Sequence, residues 1–165
     1  MVIGVKCQSE ADTRKTAEVV AGAARCSDVI LLSGEMGTGK SVFTRSMASA
    51  LGIDEPIPSP TFNILLIHDG PKFKLYHFDL YRLENEDELY GMGLDEMIPP
   101  DDGIAVIEWP EICADAMPEK AVRIEISYID GIIEERMIKI QMPDDETEKA
   151  LKKCLISAGL NVKDA

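Results

Sequence analysis

Apolar and polar positions along the chain change their spacing repeatedly, and each change marks an element. Val29-Ile30-Leu31-Leu32-Ser33 is a short apolar run, partly β-branched, the form of a parallel strand buried on both faces. Ile104-Ala105-Val106-Ile107 is a second such run. Val2 to Cys7, Thr61 to Ile67, Phe73 to Asp79, Ala121 to Tyr128 and Arg136 to Met142 read as further strands. Between them the spacing turns helical. Ala17, Val20, Ala21 and Ala24 form one stripe in a helix predicted from about Glu10 to Ala24, with Ser9 and Asp12 spaced as a capping box at its start. Phe43, Met47, Ala50 and Leu51 form a second stripe, stopped by Gly52. Asn85 to Tyr90 reads as a short acidic helix broken at Gly91-Met92-Gly93, and Leu94 to Ile98 as a further turn. Asp144 to Ala158 reads as a helix with acids at its start, Lys152-Lys153 further on and Gly159 as its stop. Three prolines make Ile53 to Pro60 an extended loop. Asp69-Gly70 and Asp130-Gly131 are turns, the first a hairpin that sets an antiparallel strand beside an otherwise parallel sheet. The class is α/β: a mixed, mostly parallel central sheet flanked by helices in three layers.

The connection after Ser33 carries the chemistry. Gly34-Glu35-Met36-Gly37-Thr38-Gly39-Lys40-Ser41 has Gly, four free positions, Gly, Lys and a hydroxyl residue, the pattern of a phosphate-binding loop. The glycines let backbone N–H groups come against phosphate oxygens where a Cβ would collide. Lys40 supplies a mobile charge for the outer phosphates, and Ser41 a hydroxyl for magnesium. The helix starting near Lys40 adds its unpaired N–H groups and positive dipole end. Strand, glycine-rich loop, helix is the context the motif requires, which makes a chance match a minority reading.

Composition narrows the partners. At 165 residues the chain reads as one domain. With 17 Lys and Arg against 30 Asp and Glu, the net charge is −13, which argues against general nucleic-acid binding through a basic face. Solubility is the simplest account of the acid excess, although an acidic protein also suits a basic partner. Cys7, Cys26, Cys113 and Cys154 include no C-x-x-C pair and read as free thiols of a reducing cytosol. The start lacks the features of a signal peptide, and no apolar run approaches the ~18 residues of a membrane span. The expected location is cytoplasmic, away from membranes.

A phosphate-loop enzyme also needs an acid for magnesium or its waters, at the C-terminal end of a buried strand. Glu108, after Ile104 to Ile107, fits best, and Asp79, after Phe73 to Phe78, is the second candidate. Thr61 follows the phosphate helix and its loop, where nucleotide switches place a γ-phosphate-sensing hydroxyl. Trp109 suits stacking on a base, docking a partner or filling core equally. His77 reads as a ligand, a base or, more commonly for a lone strand histidine, a structural hydrogen-bond partner. Arg82 and Arg136 are surface charges unless they reach phosphate.

The phosphate loop, then Ser59-Pro60-Thr61-Phe62, then His77-Phe78-Asp79-Leu80-Tyr81-Arg82-Leu83, then Ile107-Glu108-Trp109-Pro110-Glu111, resemble in that order the motifs of the TsaE (YjeE) family, bacterial ATPases of tRNA threonylcarbamoyladenosine synthesis. The resemblance runs from about Ser9 to Met142. It implies a three-layer P-loop NTPase-like fold and weak, magnesium-dependent ATP hydrolysis. It implies partnership with TsaD and TsaB, which transfer threonylcarbamoyl to the adenosine beside the anticodon. A TsaE-like protein meets tRNA only through that complex and resets it between turnovers. By the same resemblance, Gly34, Met36, Gly37, Thr38, Gly39, Lys40, Ser41, Val42 and Trp109 contact nucleotide, with Glu10 and Arg136 near it. Ser41 and Glu108 hold magnesium, and Lys40, Asp79 and Thr61 serve hydrolysis. Ser41 stands where many members have Thr, which keeps the hydroxyl, and Phe62 replaces a frequent Tyr.

Three rival readings stand beside it. A small-molecule kinase on the same fold needs an arginine-rich lid, and the segment after Asp79 is acidic instead. A GTPase needs Asn-Lys-x-Asp, and Asn161-Val162-Lys163-Asp164 has the wrong order. A nucleotide-gated assembly factor with negligible turnover shades into the ATPase reading.

Overall fold

The computed structural model describes residues 2–165. Eight strands and four α-helices follow one another as β1 (Ile3–Cys7), α1 (Glu10–Ala23), β2 (Val29–Ser33), α2 (Lys40–Ala50), β3 (Leu65–His68), β4 (Lys74–Asp79), α3 (Glu86–Gly91), β5 (Gly103–Glu108), β6 (Val122–Ile129), β7 (Ile132–Gln141), α4 (Asp145–Ser157) and β8 (Asn161–Asp164). Single 3-10 segments lie at Leu94–Met97 and Pro110–Ala116.

All eight strands join one sheet in the order β3-β4-β5-β2-β6-β7-β1-β8. The central strands β4, β5, β2 and β6 pair in parallel, and β1 runs in the same sense. β3, β7 and β8 run against them. The mixed α/β sheet expected from the apolar runs is therefore present: five of its eight strands run in one sense, with a parallel centre and a four-strand antiparallel wing at one end.

Alternation along β2 explains the layers. Ile30 and Leu32 join the core under α1, α2 and α4 with Val20, Phe43, Met47 and Leu151, while Val29 and Leu31 face Phe78, Leu89 and Ile107 on the other side. A strand apolar at every position is thus buried on both faces. The same alternation puts His77 and Asp79 of β4 on the α2 face with Leu75, and Glu108 of β5 there with Val106. The parallel register sets Asp79 directly beside Glu108.

Four expectations need correction. The strand read from Thr61 begins only at Leu65, because Pro60 accepts backbone bonds from Asn63 and Ile64 and Ile64 sits at φ 64°. The turn at Asp69-Gly70 is a five-residue connection spanning 69–73, since β4 starts at Lys74. The capping box is absent: Ser9 makes no side-chain cap bond, and Asp12 instead accepts from the Gln8 N–H at 2.9 Å. β7 starts at Ile132 rather than Arg136, because the two-residue turn at Asp130-Gly131 lets pairing resume at once. β8 has no counterpart in the sequence reading. Among the described residues no helix is long and apolar enough to cross a membrane, and all four cysteines are free thiols.

Candidate functional site

The loop between β2 and α2 is held open by backbone geometry that only glycine takes easily. Gly34, Gly37 and Gly39 have φ of 146°, 82° and 111°. Thr38 ties the loop across itself, its hydroxyl donating to the Glu35 carbonyl at 2.8 Å. On β6, the Tyr128 hydroxyl donates to the Met36 carbonyl at 3.1 Å. On β7, Arg136 Nε donates to the Thr38 carbonyl at 3.1 Å, and the guanidinium lies 4.5 Å from the Tyr128 ring centre. Tyr128 carried no signal in the sequence, because its exposed strand position looks like any solvent-facing residue.

Beside this loop lies a cavity of about 340 Å³, within the range of small-ligand sites. Gly39, Lys40, Ser41, Thr61, Asp79 and Glu108 line it, together with Met36, Gly37, Val42, Ser59 and Trp109. Residues from four separate stretches, each picked out in the sequence by its own motif, thus share one concave surface. Gly34 and Thr38 belong to the loop but do not line this cavity. Glu10 and Arg136 face a smaller cavity of about 140 Å³ on the other side of the loop, with Thr13, Thr38 and Glu134. Glu10 also pairs with Arg14 one helical turn on. Arg82 stacks on the exposed Phe62 ring, 4.1 Å from its centre.

The electrostatics of the larger cavity are set by burial. Lys40 is 7 % exposed, Asp79 5 % and Glu108 4 %. The Lys40 ammonium donates to the Gly34 and Glu35 carbonyls at 2.6 and 3.0 Å and lies 4.5 Å from the centre of the Trp109 ring. Burial pushes the Lys40 pKa below the usual lysine range, and the negative charges of Glu108, Glu111 and Asp79 oppose that push. Trp109 reaches this position through a left-handed backbone, φ 58° and ψ 46°, immediately after Glu108. Its ring meets Tyr81 at 5.0 Å between centres. Of the three readings open for Trp109, the structure gives it a place beside the loop lysine.

The two carboxylates are held differently. Asp79 Oδ2 accepts from the Thr61 hydroxyl at 2.9 Å and Oδ1 from the Tyr81 N–H at 3.0 Å. The Ser59 and Thr61 hydroxyls are 2.6 Å apart, which extends the chain of hydroxyls into the proline-rich segment. Glu108 Oε2 is 3.0 Å from His77 Nε2. The sequence left the partner of His77 unidentified, since the contact depends on strand order rather than spacing.

A glycine-rich loop opening a helix, with two acidic strand ends across one cavity, defines a P-loop nucleotide-binding protein. The TsaE model, "Threonylcarbamoyl adenosine biosynthesis protein TsaE", matches residues 7–138. The chain is 36% identical over 115 residues to the Bacillus subtilis tRNA threonylcarbamoyladenosine biosynthesis protein TsaE, covering 70% of this chain and 71% of that one. It is 36% identical over 122 residues to the protein of that name from Treponema pallidum, covering 74% and 89%. The crystal structure of Bacillus subtilis YdiB superposes with a TM-score of 0.78 at 27% identity, over 96% of this chain and 97% of that one. This chain belongs to the TsaE family of tRNA threonylcarbamoyladenosine biosynthesis proteins.

Proposed function

We propose that this protein binds ATP with magnesium in the 340 Å³ cavity and hydrolyses it slowly, as the ATPase component of the machinery that places threonylcarbamoyl on tRNA. The observation that carries the reading is the convergence of Lys40, Ser41, Thr61, Asp79 and Glu108 on that one cavity. Hydrolysis forms a bond from water oxygen to the γ-phosphorus and breaks the bond to the β,γ-bridging oxygen, releasing ADP and phosphate. The loop N–H groups and Lys40 neutralise the phosphate charge. Lys40 is poised for this, since turning from two loop carbonyls to phosphate exchanges weak acceptors for charged ones. Thr61, oriented by Asp79, meets the γ-phosphate side, and Asp79 is the carboxylate nearest to that hydroxyl.

The donor set fits magnesium. The Ser41 hydroxyl and the Glu108 carboxylate are hard oxygen donors on the cavity wall, with the Asp79 carboxylate alongside. Ser41 and Glu108 are the residues that would hold the ion, which when bound neutralises charge on the β- and γ-phosphates. In this reading Glu10 and Arg136, which line the smaller cavity across the loop, contact the rest of the nucleotide.

In this reading the partners are TsaD and TsaB, tRNA is met only through them, and the setting is the cytoplasm. The protein resets the complex between turnovers and does not itself transfer the group. The test is ATP hydrolysis by the purified chain, alone and with TsaD and TsaB, beside Lys40→Ala. Turnover stimulated by the partners and abolished in the variant is expected. Wild-type turnover in Lys40→Ala would sink the site assignment, and hydrolysis indifferent to the partners would sink the pathway role.

A further inference from the structure

The His77 imidazole is buried, 2 % exposed, under the sheet edge where Asp79 and Glu108 stand side by side. Parallel pairing of β4 with β5 sets His77 beside Val106, one strand repeat below the Asp79 and Glu108 pair. Its Nε2 approaches Glu108 Oε2 at 3.0 Å. A carboxylate only accepts, so Nε2 is the nitrogen that carries the proton and donates. Nδ1 is buried and has no partner among the described residues. A side chain kept there for stability alone would be expected to satisfy both nitrogens, because an orphaned buried polar atom is destabilising. The ring instead has one bond, and that bond goes to a carboxylate on the cavity wall.

We propose that His77 is a positioning residue for Glu108: its Nε2–H holds Oε2 so that the carboxylate's other oxygen is presented to the divalent cation of the nucleotide. This rests on the ATP–magnesium reading above. Two features make such a hold necessary. The carboxylates of Asp79 and Glu108 are buried neighbours and repel one another. Asp79 has a donor on each oxygen, Thr61 and the Tyr81 N–H, whereas His77 makes the one hydrogen bond to Glu108's carboxylate among the described residues. Without it no hydrogen bond from the described residues fixes the orientation of the Glu108 carboxylate, which then turns away from Asp79 and from the cation. Outer-sphere donors of this kind are typically worth about 10–100-fold in metal affinity.

The test is calorimetric titration of ATP into the folded chain at a series of MgCl2 concentrations, and in EDTA, for wild type, His77→Leu and His77→Gln. The glutamine amide nitrogen reaches about as far as Nε2 and restores the donor. His77→Leu is expected to raise the half-saturating MgCl2 concentration about 10–100-fold, to leave ATP affinity in EDTA unchanged, and to be rescued largely by His77→Gln. In a Glu108→Gln background, the same His77→Leu change is expected to have no further effect on the magnesium dependence. A role in stability alone would shift binding equally with and without magnesium, and that result overturns the inference. So does an unchanged magnesium dependence in His77→Leu, or a glutamine variant no better than leucine. If wild type binds ATP without any response to MgCl2, the ATP–magnesium reading itself falls; a responsive wild type with an unresponsive His77→Leu effect removes only this inference.

Discussion

Gly34 shows why one residue of a short motif tolerates nothing else. Its φ of 146° is open to glycine, and a Cβ built there would lie 2.3 Å from the Ile126 carbonyl oxygen and 2.9 Å from the Thr38 hydroxyl. Gly39 also has a positive φ, 111°, but its Cβ would meet nothing within 4 Å. Gly39→Ala therefore carries conformational strain alone, about 1–3 kcal/mol, while Gly34→Ala adds a backbone collision that must displace β6 or the loop. Gly34→Ala is expected to lose ATP binding in calorimetry and to melt lower than Gly39→Ala; equal melting points and intact binding in both would refute the collision. The motif glycine was legible in the sequence, but its reason was only half legible. Close approach of phosphate was the expected cause, whereas at Gly34 the crowding atom belongs to Ile126 on a strand far away in the chain. The same holds for His77: its neighbour Glu108 stands on another strand, and no spacing rule brings them together.

Elements were legible where the periodicity was strong. β2, β5, α1, α2 and α4 match their predicted cores because a fully apolar run or a helical stripe leaves little choice. The misreadings fall where local signals compete. Thr61 to Ile64 are apolar or β-branched in part, yet Pro60 and the Asp79 contact fold them into a turn, which is what brings Thr61 to the cavity. β8 has a polar, unpatterned sequence, and only pairing with β1 makes it a strand. The cap of α4 yields a prediction. The Asp144 carboxylate accepts from the Thr147 N–H at 2.8 Å, and that bond, with the Thr147 side chain, holds its pKa below the usual aspartate range. A depressed carboxylate pKa adds stability that is present above the unfolded-state value, about 3.9, and is lost as pH falls through the lower folded-state value. Wild type should therefore exceed Asp144→Ala in urea midpoint at neutral pH, and the gap should narrow on acidification below that range. Asp144→Asn, which keeps a capping oxygen without a titrating group, should stay closer to wild type at neutral pH. A gap that widens in acid would contradict the cap assignment.

At the scale of the whole molecule, chemistry and the chain's last structural segment sit at different places in one sheet. The cavity belongs to β2, β4 and β5, while β8 is the edge strand beyond β6, β7 and β1. Four strand spacings separate β2 from β8, about 19 Å. The family model ends at residue 138, before α4 and β8 begin. β8 nonetheless covers an edge: it pairs with β1 from Asn161 to Asp164, Lys152 of α4 pairs with Asp164, and Leu160 is buried against the α4 core. Removing residues 160–165 would strip β1 of its outer partner and expose Leu160's cavity, a loss of about 1.5–3 kcal/mol from that side chain alone. For a chain of this size that corresponds to a melting temperature lower by roughly 3–12 °C. The bare β1 edge, with Ile3 and Val5 turned into the core and its backbone groups open, should also promote association between chains. ATP affinity at a temperature where the shortened chain is folded should not change, because no cavity residue touches the removed strand. Differential scanning calorimetry and ATP titration on the same truncated sample decide it. A lower melting point with unchanged affinity means that β8 closes the sheet and the site is carried by the parallel centre alone. A comparable loss of affinity would mean that the antiparallel wing, through β6 and β7 and the Tyr128 and Arg136 contacts to the loop, transmits its order to the phosphate site.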